Sequence, residues 1–158
     1  MNKVEQSAGL IQTYSGVHGY EVLSVSVSGD NARFVSAGGD KTVFLWDVAT
    51  AMTLRRYSGH NGRVECAVFG GEGDAVVISG SFDSTIRLWD ARSQSTKPLM
   101  VMQEAKDSVT SLVVTGAEIL AGSVDGRLRT YDLRMGSCYI DVVGREYKTS
   151  WSATERRC

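Results

Sequence analysis

One pattern occurs three times along the chain. The segments SAGGDKTVFLWD, SGSFDSTIRLWD and AGSVDGRLRTYD end at Asp47, Asp90 and Asp132, so the repeats are spaced by 43 and 42 residues. A period of about 40 to 45 residues with a Trp-Asp ending is typical of a four-stranded β unit. Such a unit cannot bury both faces alone, so the repeat predicts a row of similar sheets stacked on one another.

Short runs of alternating apolar and polar residues fill each repeat. VLSVSV from Val22 to Val27 and VTSLVV from Val109 to Val114 alternate with period two, and no segment keeps a period of 3.6. Alternation over so few residues indicates half-buried strands rather than helices. The prediction is an all-β fold with four strands per unit. The predicted strands are Glu21–Val27, Arg33–Ala37, Thr42–Trp46, Thr53–Tyr57, Val64–Phe69, Val76–Gly80, Thr85–Trp89, Leu99–Gln103, Val109–Val114, Glu118–Ala121, Arg127–Tyr131 and Cys138–Val142.

Composition and charge exclude several classes of protein. The chain has 158 residues, 17 basic and 18 acidic side chains and a net charge of −1, so no basic stripe predicts nucleic-acid binding. The three cysteines (Cys66, Cys138 and Cys158) form no CxxC pair, which argues against a disulfide framework or a zinc site. The apolar runs are too short to span a bilayer, and MNKVEQSAG lacks the apolar core of a signal peptide. We therefore expect a soluble chain in a reducing compartment, in the cytoplasm, the nucleus or both.

The repeats resemble those of the WD-repeat β-propeller family over nearly the whole chain. The resemblance implies about three four-stranded blades of an incomplete ring. It also implies a hydrogen-bonded structural tetrad of His, Ser, Asp and Trp in a blade. By position the tetrads are His18, Ser36, Asp40 and Trp46 in the first unit, and His60, Ser79, Asp83 and Trp89 in the second.

His60, Ser79 and Asp83 also invite comparison with a hydrolase triad. A catalytic triad occurs once, beside a cleft, with its nucleophile at a strained turn. Here the same residue types recur with the strand repeat, and Ser79 lies inside a predicted strand. We therefore interpret the three residues as structural, and expect no catalytic residue, cofactor or metal site.

The third unit departs from this pattern. Alignment of Val22, Val64 and Val109 places Ala105, Ala121 and Tyr131 at the His, Ser and Trp positions, and only Asp125 of the tetrad remains. With fewer residues depending on it, Asp125 is expected to contribute less stability than Asp83.

Several strings resemble a narrower branch of the family, the mitogen-activated protein kinase organizer branch. They are QTYSG followed by HGYEVL, then GGDKTVFLWDVAT, EILAGSVDGR and YDLRMG, which together span roughly residues 10–144. This resemblance implies a non-enzymatic scaffold that assembles a multiprotein complex, with kinase-cascade components or splicing factors as partners. No direct binding of nucleic acid, membrane or a small-molecule substrate is expected.

Binding residues usually lie on loops held by a rigid frame. The loops that enter each unit, and the turns between its second and third strands, therefore supply the candidate partner-binding residues. These are Tyr20, Arg63, Phe82 and Asp107. Aromatic and Arg side chains dominate interface hot spots, which favours Phe82 and Arg63; the alternative for Phe82 is that it only covers its own turn.

A second motif offers an alternative function. WDAR and YDLR resemble the WDxR box of substrate receptors for cullin-4 ubiquitin ligases, which would make Arg92 and Arg134 docking residues for the ligase adaptor. The alternative is a solvated arginine after the third strand, because short motifs match often by chance.

The units are predicted to occupy residues 20–57, 58–103 and 104–144. Residues 1–19 are interpreted as the last strand of a preceding blade with its connecting loop, and 145–158 as a tail outside the repeat. Three units form about half of a ring of 4–8 blades. The sequence is therefore expected to be a fragment of a longer propeller, and an open arc of this kind is expected to associate or to fold only in part.

Overall fold

The computed structural model describes residues 12–134 and 137–142, and in those residues all regular structure is β-strand. The alternation in the sequence is the reason, because each strand presents one side chain in two to a neighbouring sheet. The strands are β1 Val22–Val27, β2 Arg33–Gly38, β3 Thr42–Asp47, β4 Thr53–Ser58, β5 Val64–Gly70, β6 Val76–Ser81, β7 Ile86–Asp90, β8 Met100–Met102, β9 Val109–Thr115, β10 Glu118–Ser123, β11 Arg127–Asp132 and β12 Ser137–Val142.

The twelve strands form three antiparallel sheets of four. Sheet A has the order β1-β2-β3-β4, sheet B the order β5-β6-β7-β8, and sheet C the order β9-β10-β11-β12. Each sheet is a simple meander, so neighbours in the chain are neighbours in the sheet. The all-β prediction of three four-stranded blades in an incomplete ring is confirmed, while the exact unit boundaries stay predictions.

Two apolar cores lie between the sheets. Between sheets A and B, residues of β2 and β3 such as Val35 and Leu45 pack against Val64, Val77 and Trp89 of sheet B. Between sheets B and C, residues of β6 and β7 pack against β9, β10 and β11 in the same way. Sheet B is therefore covered on both faces, with one apolar core against sheet A and another against sheet C.

The other face of sheet A is open to solvent. Val22, Val25 and Val27 are 48%, 60% and 55% exposed, whereas Val64 and Ala67, the sheet B counterparts of the first two, are 0% and 1% exposed. The valines border a groove of about 580 Å³. Tyr14 covers its outer part, where its ring packs edge-on against Trp46 and its hydroxyl donates a hydrogen bond to the Val48 carbonyl. Residues 1–11 and 143–158, including the predicted tail and Cys158, lie outside the described residues.

Candidate interaction site

Four side chains of sheet B form a continuous hydrogen-bonded chain. His60 Nδ1 lies 3.0 Å from Asp83 Oδ2, and His60 Nε2 lies 2.8 Å from Ser79 Oγ. The Trp89 indole N–H donates to Ser79 Oγ over 2.9 Å. One arrangement of hydrogens satisfies all of them: Nδ1–H of the imidazole donates to Asp83, and the Ser79 hydroxyl donates to Nε2. The sequence predicted this set, and the structure brings its four members together.

Burial and hydrogen bonding fix the charges in this tetrad. Burial lowers the pKa of His60, and the Asp83 carboxylate offsets only part of that effect, so the neutral imidazole is favoured. Burial acts to raise the pKa of Asp83, but hydrogen bonds from Thr85, the Asn61 N–H and His60 outweigh it and lower the pKa to about 2. The pair is therefore a carboxylate beside a neutral histidine that donates to it.

The Asp-His-Ser geometry of sheet B is the geometry of a hydrolase triad, but the nucleophile position is closed. Ser79 is 0% exposed, and its oxygen already accepts the Trp89 N–H. A substrate carbonyl cannot reach a hydroxyl in that environment, and a nucleophile needs that approach. The arrangement supports the structural interpretation of these residues.

Sheet A carries the same network in a more exposed form. His18 lies 2.7 Å from both Asp40 Oδ2 and Ser36 Oγ, and the Trp46 indole N–H donates to Ser36 Oγ over 2.8 Å. The His18 and Asp40 side chains keep 10% and 14% of their surface exposed, against 1% and 8% for the pair in sheet B. The first unit has one residue more than the second, Val17 between Gly16 and His18, and the network still forms.

Sheet C replaces the tetrad with an ion pair that sequence reasoning missed. Arg129 Nη2 lies 2.6 Å from Asp125 Oδ2, and Nη1 lies 3.3 Å from Oδ1. The Arg129 side chain is 1% exposed. The expectation that few groups depend on Asp125 is therefore wrong, because a buried guanidinium depends on it. The sequence carried no distinguishing signal, because sheet B also has an arginine, Arg87, at the equivalent register position.

Both side chains of this ion pair are stabilised in their charged forms. The hydrogen bonds from Arg129 hold the pKa of Asp125 far below its usual value. Burial acts to lower the pKa of Arg129, and the Asp125 carboxylate more than offsets it, so that pKa is raised. Sheet C is thus closed by a pair of opposite charges, where sheet B uses a carboxylate beside a neutral histidine.

One edge of the three sheets carries all the candidate partner-binding residues. In each sheet, the turn between the second and third strands donates an N–H to the segment entering the first strand: Gly39 to Glu21, Phe82 to Arg63, and Val124 to Ser108. Tyr20 and Asp107 precede two of those acceptors, so Tyr20, Arg63, Phe82 and Asp107 share this edge. We call this surface, with its three turns, the loop face.

Two of these residues, Arg63 and Phe82, contact each other directly. The Arg63 guanidinium lies 5.1 Å from the centre of the Phe82 ring, and its Nε donates to Glu65 Oε1. Phe82 remains 55% exposed, and Tyr20 is 69% exposed. More than half of the Phe82 surface is therefore accessible, and the Arg63 cation lies over its ring.

The arginines of the WDxR-like strings lie away from the loop face, beyond the ends of β7 and β11. Arg92 Nη2 donates to the Glu72 carbonyl over 2.8 Å, so part of its guanidinium is already bound within the chain. Arg134 is exposed and its backbone N–H donates to Asp132.

The described residues hold no cluster of metal ligands, and the Cys66 thiol belongs to the core. Within residues 12–134 and 137–142 no three His, Cys, Asp or Glu side chains come together as metal ligands. Burial raises the pKa of the Cys66 thiol to about 12, which makes it a core group rather than a nucleophile. No helix in that part of the chain is long and apolar enough to cross a membrane.

Comparison with known proteins gives consistent matches. The family model described as "WD domain, G-beta repeat" matches residues 9–47 and 52–90. WD repeat domain-containing protein 83 of Homo sapiens is 48% identical over 149 residues, which cover 94% of this chain and 47% of that protein. The Rattus norvegicus protein of the same name is 48% identical over 67 residues, 42% of this chain and 21% of that protein. A Dictyostelium discoideum homolog is 28% identical over 148 residues, 76% of this chain and 45% of that protein. The chain thus spans at most about half the length of these relatives.

Proposed function

This chain belongs to the WD-repeat family, and we propose that it is a non-enzymatic scaffold that binds other proteins through its loop face. The observation that carries the proposal is the Arg63–Phe82 pair. An aromatic ring that is 55% exposed stands on a tight turn, with a guanidinium 5.1 Å from its centre. Exposed aromatic and Arg side chains on a rigid frame are the groups that most often anchor an interface.

The frame below the pair supports this proposal. The turn that carries Phe82 continues into Asp83, whose carboxylate is held by His60, Thr85 and the Asn61 N–H. A turn fixed by several hydrogen bonds loses little conformational entropy when a partner binds. The buried tetrad thus gives the loop face its rigidity.

The partners follow from the resemblance to the mitogen-activated protein kinase organizer branch. Kinase-cascade components, splicing factors or both are the classes of protein we propose, in the cytoplasm or the nucleus. The relatives carry WD-repeat names and no enzymatic ones, which supports a role in assembly.

Affinity purification with quantitative mass spectrometry tests the loop face. The Arg63→Ala/Phe82→Ala variant is expected to lose specific partners that the wild-type chain retains. Met52→Ala is the matched control, because Met52 is 66% exposed and lies in the turn between β3 and β4, away from the loop face. Unchanged recovery of every partner by the double variant would remove the loop face as the binding site.

A ubiquitin-ligase substrate receptor is the alternative, and it has less support. Arg92 is partly bound by the Glu72 carbonyl, which leaves Arg134 as the more available docking residue. Co-purification of a ligase adaptor with the wild-type chain, and its loss in Arg92→Ala/Arg134→Ala, would favour this alternative over the kinase-cascade and splicing partners.

A further inference from the structure

The outermost strands of sheets A and B differ in the residues that protect an open edge. In sheet A, Arg55 and Arg56 pair with Leu45 and Phe44. The corresponding register positions of sheet B pair with Leu88 and Arg87, and they carry Met100 and Val101. Two charged positions in one sheet are therefore two apolar positions in the next.

The two arginines of β4 make contacts within the chain and place positive charge along that edge. The Arg56 guanidinium lies 5.8 Å from the centre of the Phe44 ring, and Arg55 Nε donates to the Ser93 carbonyl over 3.1 Å. Charge on an edge strand discourages pairing with another chain, and an uncharged apolar edge invites it. The edge of sheet B lacks that protection: Met100 and Val101 are 46% and 37% exposed.

A small pocket lies beside this unprotected edge. It has a volume of about 160 Å³, and its apolar walls include Met100 and Met102 of β8 and Tyr131, Leu133 and Cys138 of sheet C. Small-molecule sites usually measure about 300–1,000 Å³, so this pocket is too small for a cofactor or metabolite. Its size and lining suit one aliphatic side chain.

The rim of the pocket is acidic. Glu104 and Asp132 are among its lining residues, and none of the described residues that line it is a lysine or an arginine. Glu104 is exposed, and Asp132 is half-buried with one oxygen accepting the Arg134 N–H. A ligand that places an aliphatic group in the pocket therefore meets the exposed Glu104 carboxylate, which favours a basic group on the same side of the ligand.

We propose that β8 binds an extended segment of a partner protein by strand addition. The backbone of the segment pairs with the outer edge of β8, one aliphatic side chain enters the pocket, and a Lys or Arg two residues along, on the same face of the added strand, lies against Glu104. Main-chain pairing supplies affinity in this mode of recognition and the pocket supplies specificity. The site lies on the outer rim of the sheets, apart from the loop face, and it does not depend on the function proposed for that face.

A labelled synthetic peptide of sequence TLVKVT, whose Leu and Lys lie two residues apart on one face of a strand, is the probe, and fluorescence anisotropy measures its binding to the whole chain. Wild-type protein is expected to bind it, and Met100→Arg/Val101→Arg, which installs the residues of sheet A, is expected to weaken binding by about tenfold or more. Leu54→Arg is the matched control, because Leu54 is an exposed apolar residue on β4, the equivalent edge strand of sheet A. It should bind the peptide as the wild type does.

A charge reversal keeps the test independent of folding. The peptide TLVEVT should bind the wild type more weakly than TLVKVT, and Glu104→Lys, an exposed substitution, should reverse that preference. Amide hydrogen exchange of β8 should slow when TLVKVT is added. Failure of TLVKVT to bind, an unchanged preference in Glu104→Lys, or peptide-independent protection of β8 in a dimer would each overturn the proposal; the last would identify a second copy as the occupant of this edge.

Discussion

Arg129 Nη2 lies 2.6 Å from Asp125 Oδ2, in the one sheet that has neither the histidine nor the serine of the tetrad. Asp125 keeps the position it has in the other two sheets, and the Lys106 N–H of the entering loop still donates to it, but its side-chain partner comes from β11 rather than from that loop. The aspartate of the same turn is thus bound by an arginine in sheet C and by a histidine in the other two sheets. The consequence is a buried guanidinium that needs this carboxylate.

We predict that Asp125→Ala destabilises the chain by about 3 kcal/mol, because removing one partner of a buried ion pair leaves the other charge uncompensated. Urea unfolding monitored by tryptophan fluorescence measures the loss. In Asp125→Ala/Arg129→Met, where the buried charge is also removed, most of that stability should return. A double variant as unstable as the single one would show that the pair does not act in this way.

The strand periodicity could be predicted from the sequence and the third network could not. The alternation of apolar and polar residues predicted both ends of β7 to within one residue, and the end of β9 to within one residue. It could do so because one face of each strand must be apolar to pack. The alternation pattern does not predict that Arg129 points toward Asp125, because a buried position on a strand is expected to be apolar. Likewise the valines of β1 carry the same alternation as buried strands, and only the arrangement of the sheets shows that they are exposed.

The candidate site was predictable in a similar, partial way. The tetrads followed from the resemblance to the WD-repeat family, carried over to the residue types at the repeated positions, so the pairing of His60 with Ser79 was an expectation of that resemblance. The contact between Arg63 and Phe82 depends on how two separate loops approach one another, and sequence spacing does not contain that distance.

The tetrad of sheet B makes the chain sensitive to acid. Burial lowers the pKa of His60 below its unfolded value of 6.5, so the unfolded state takes up a proton first and stability falls as the pH drops below about 6.5. The lowered pKa of Asp83, about 2 against 3.8 unfolded, removes further stability as the pH falls from about 4 toward 2.

Thermal unfolding at a series of pH values checks both effects. The melting temperature should decline in two stages, one below pH 6.5 and one below about pH 4. His60→Gln should be less stable at neutral pH and should lose the first stage only. A first stage of equal size in His60→Gln would assign it to another group.

A serine occupies a backbone conformation that favours glycine in the turn between β6 and β7. Ser84 has φ of 64°, and the corresponding turn of sheet C has Gly126 with φ of 76°. We expect Ser84→Gly to stabilise the chain by about 0.5 kcal/mol, since the relief of left-handed strain exceeds the entropy added to the unfolded state.

The reverse substitution is the control for that turn. An added Cβ at Gly126 would meet nothing within 4 Å, so any cost of Gly126→Ala comes from φ alone. It should lose about 1 kcal/mol in urea unfolding. Stability that falls in Ser84→Gly, or is unchanged in Gly126→Ala, would contradict the argument from φ.

The serine at the centre of each tetrad gives a graded prediction. Ser79 Oγ is the partner of both the Trp89 N–H and His60 Nε2, and all three groups are buried, so Ser79→Ala leaves two groups without a partner. Each such group costs on the order of 1–3 kcal/mol, and we expect a loss of at least about 2 kcal/mol. Ser36→Ala removes the same contacts in sheet A, but there His18 is partly exposed and water can replace one of them. Its loss should be clearly smaller in parallel urea titrations. Equal losses would mean that solvent access to His18 does not lessen the cost, and a negligible loss in Ser79→Ala would mean that the sheet does not depend on its tetrad.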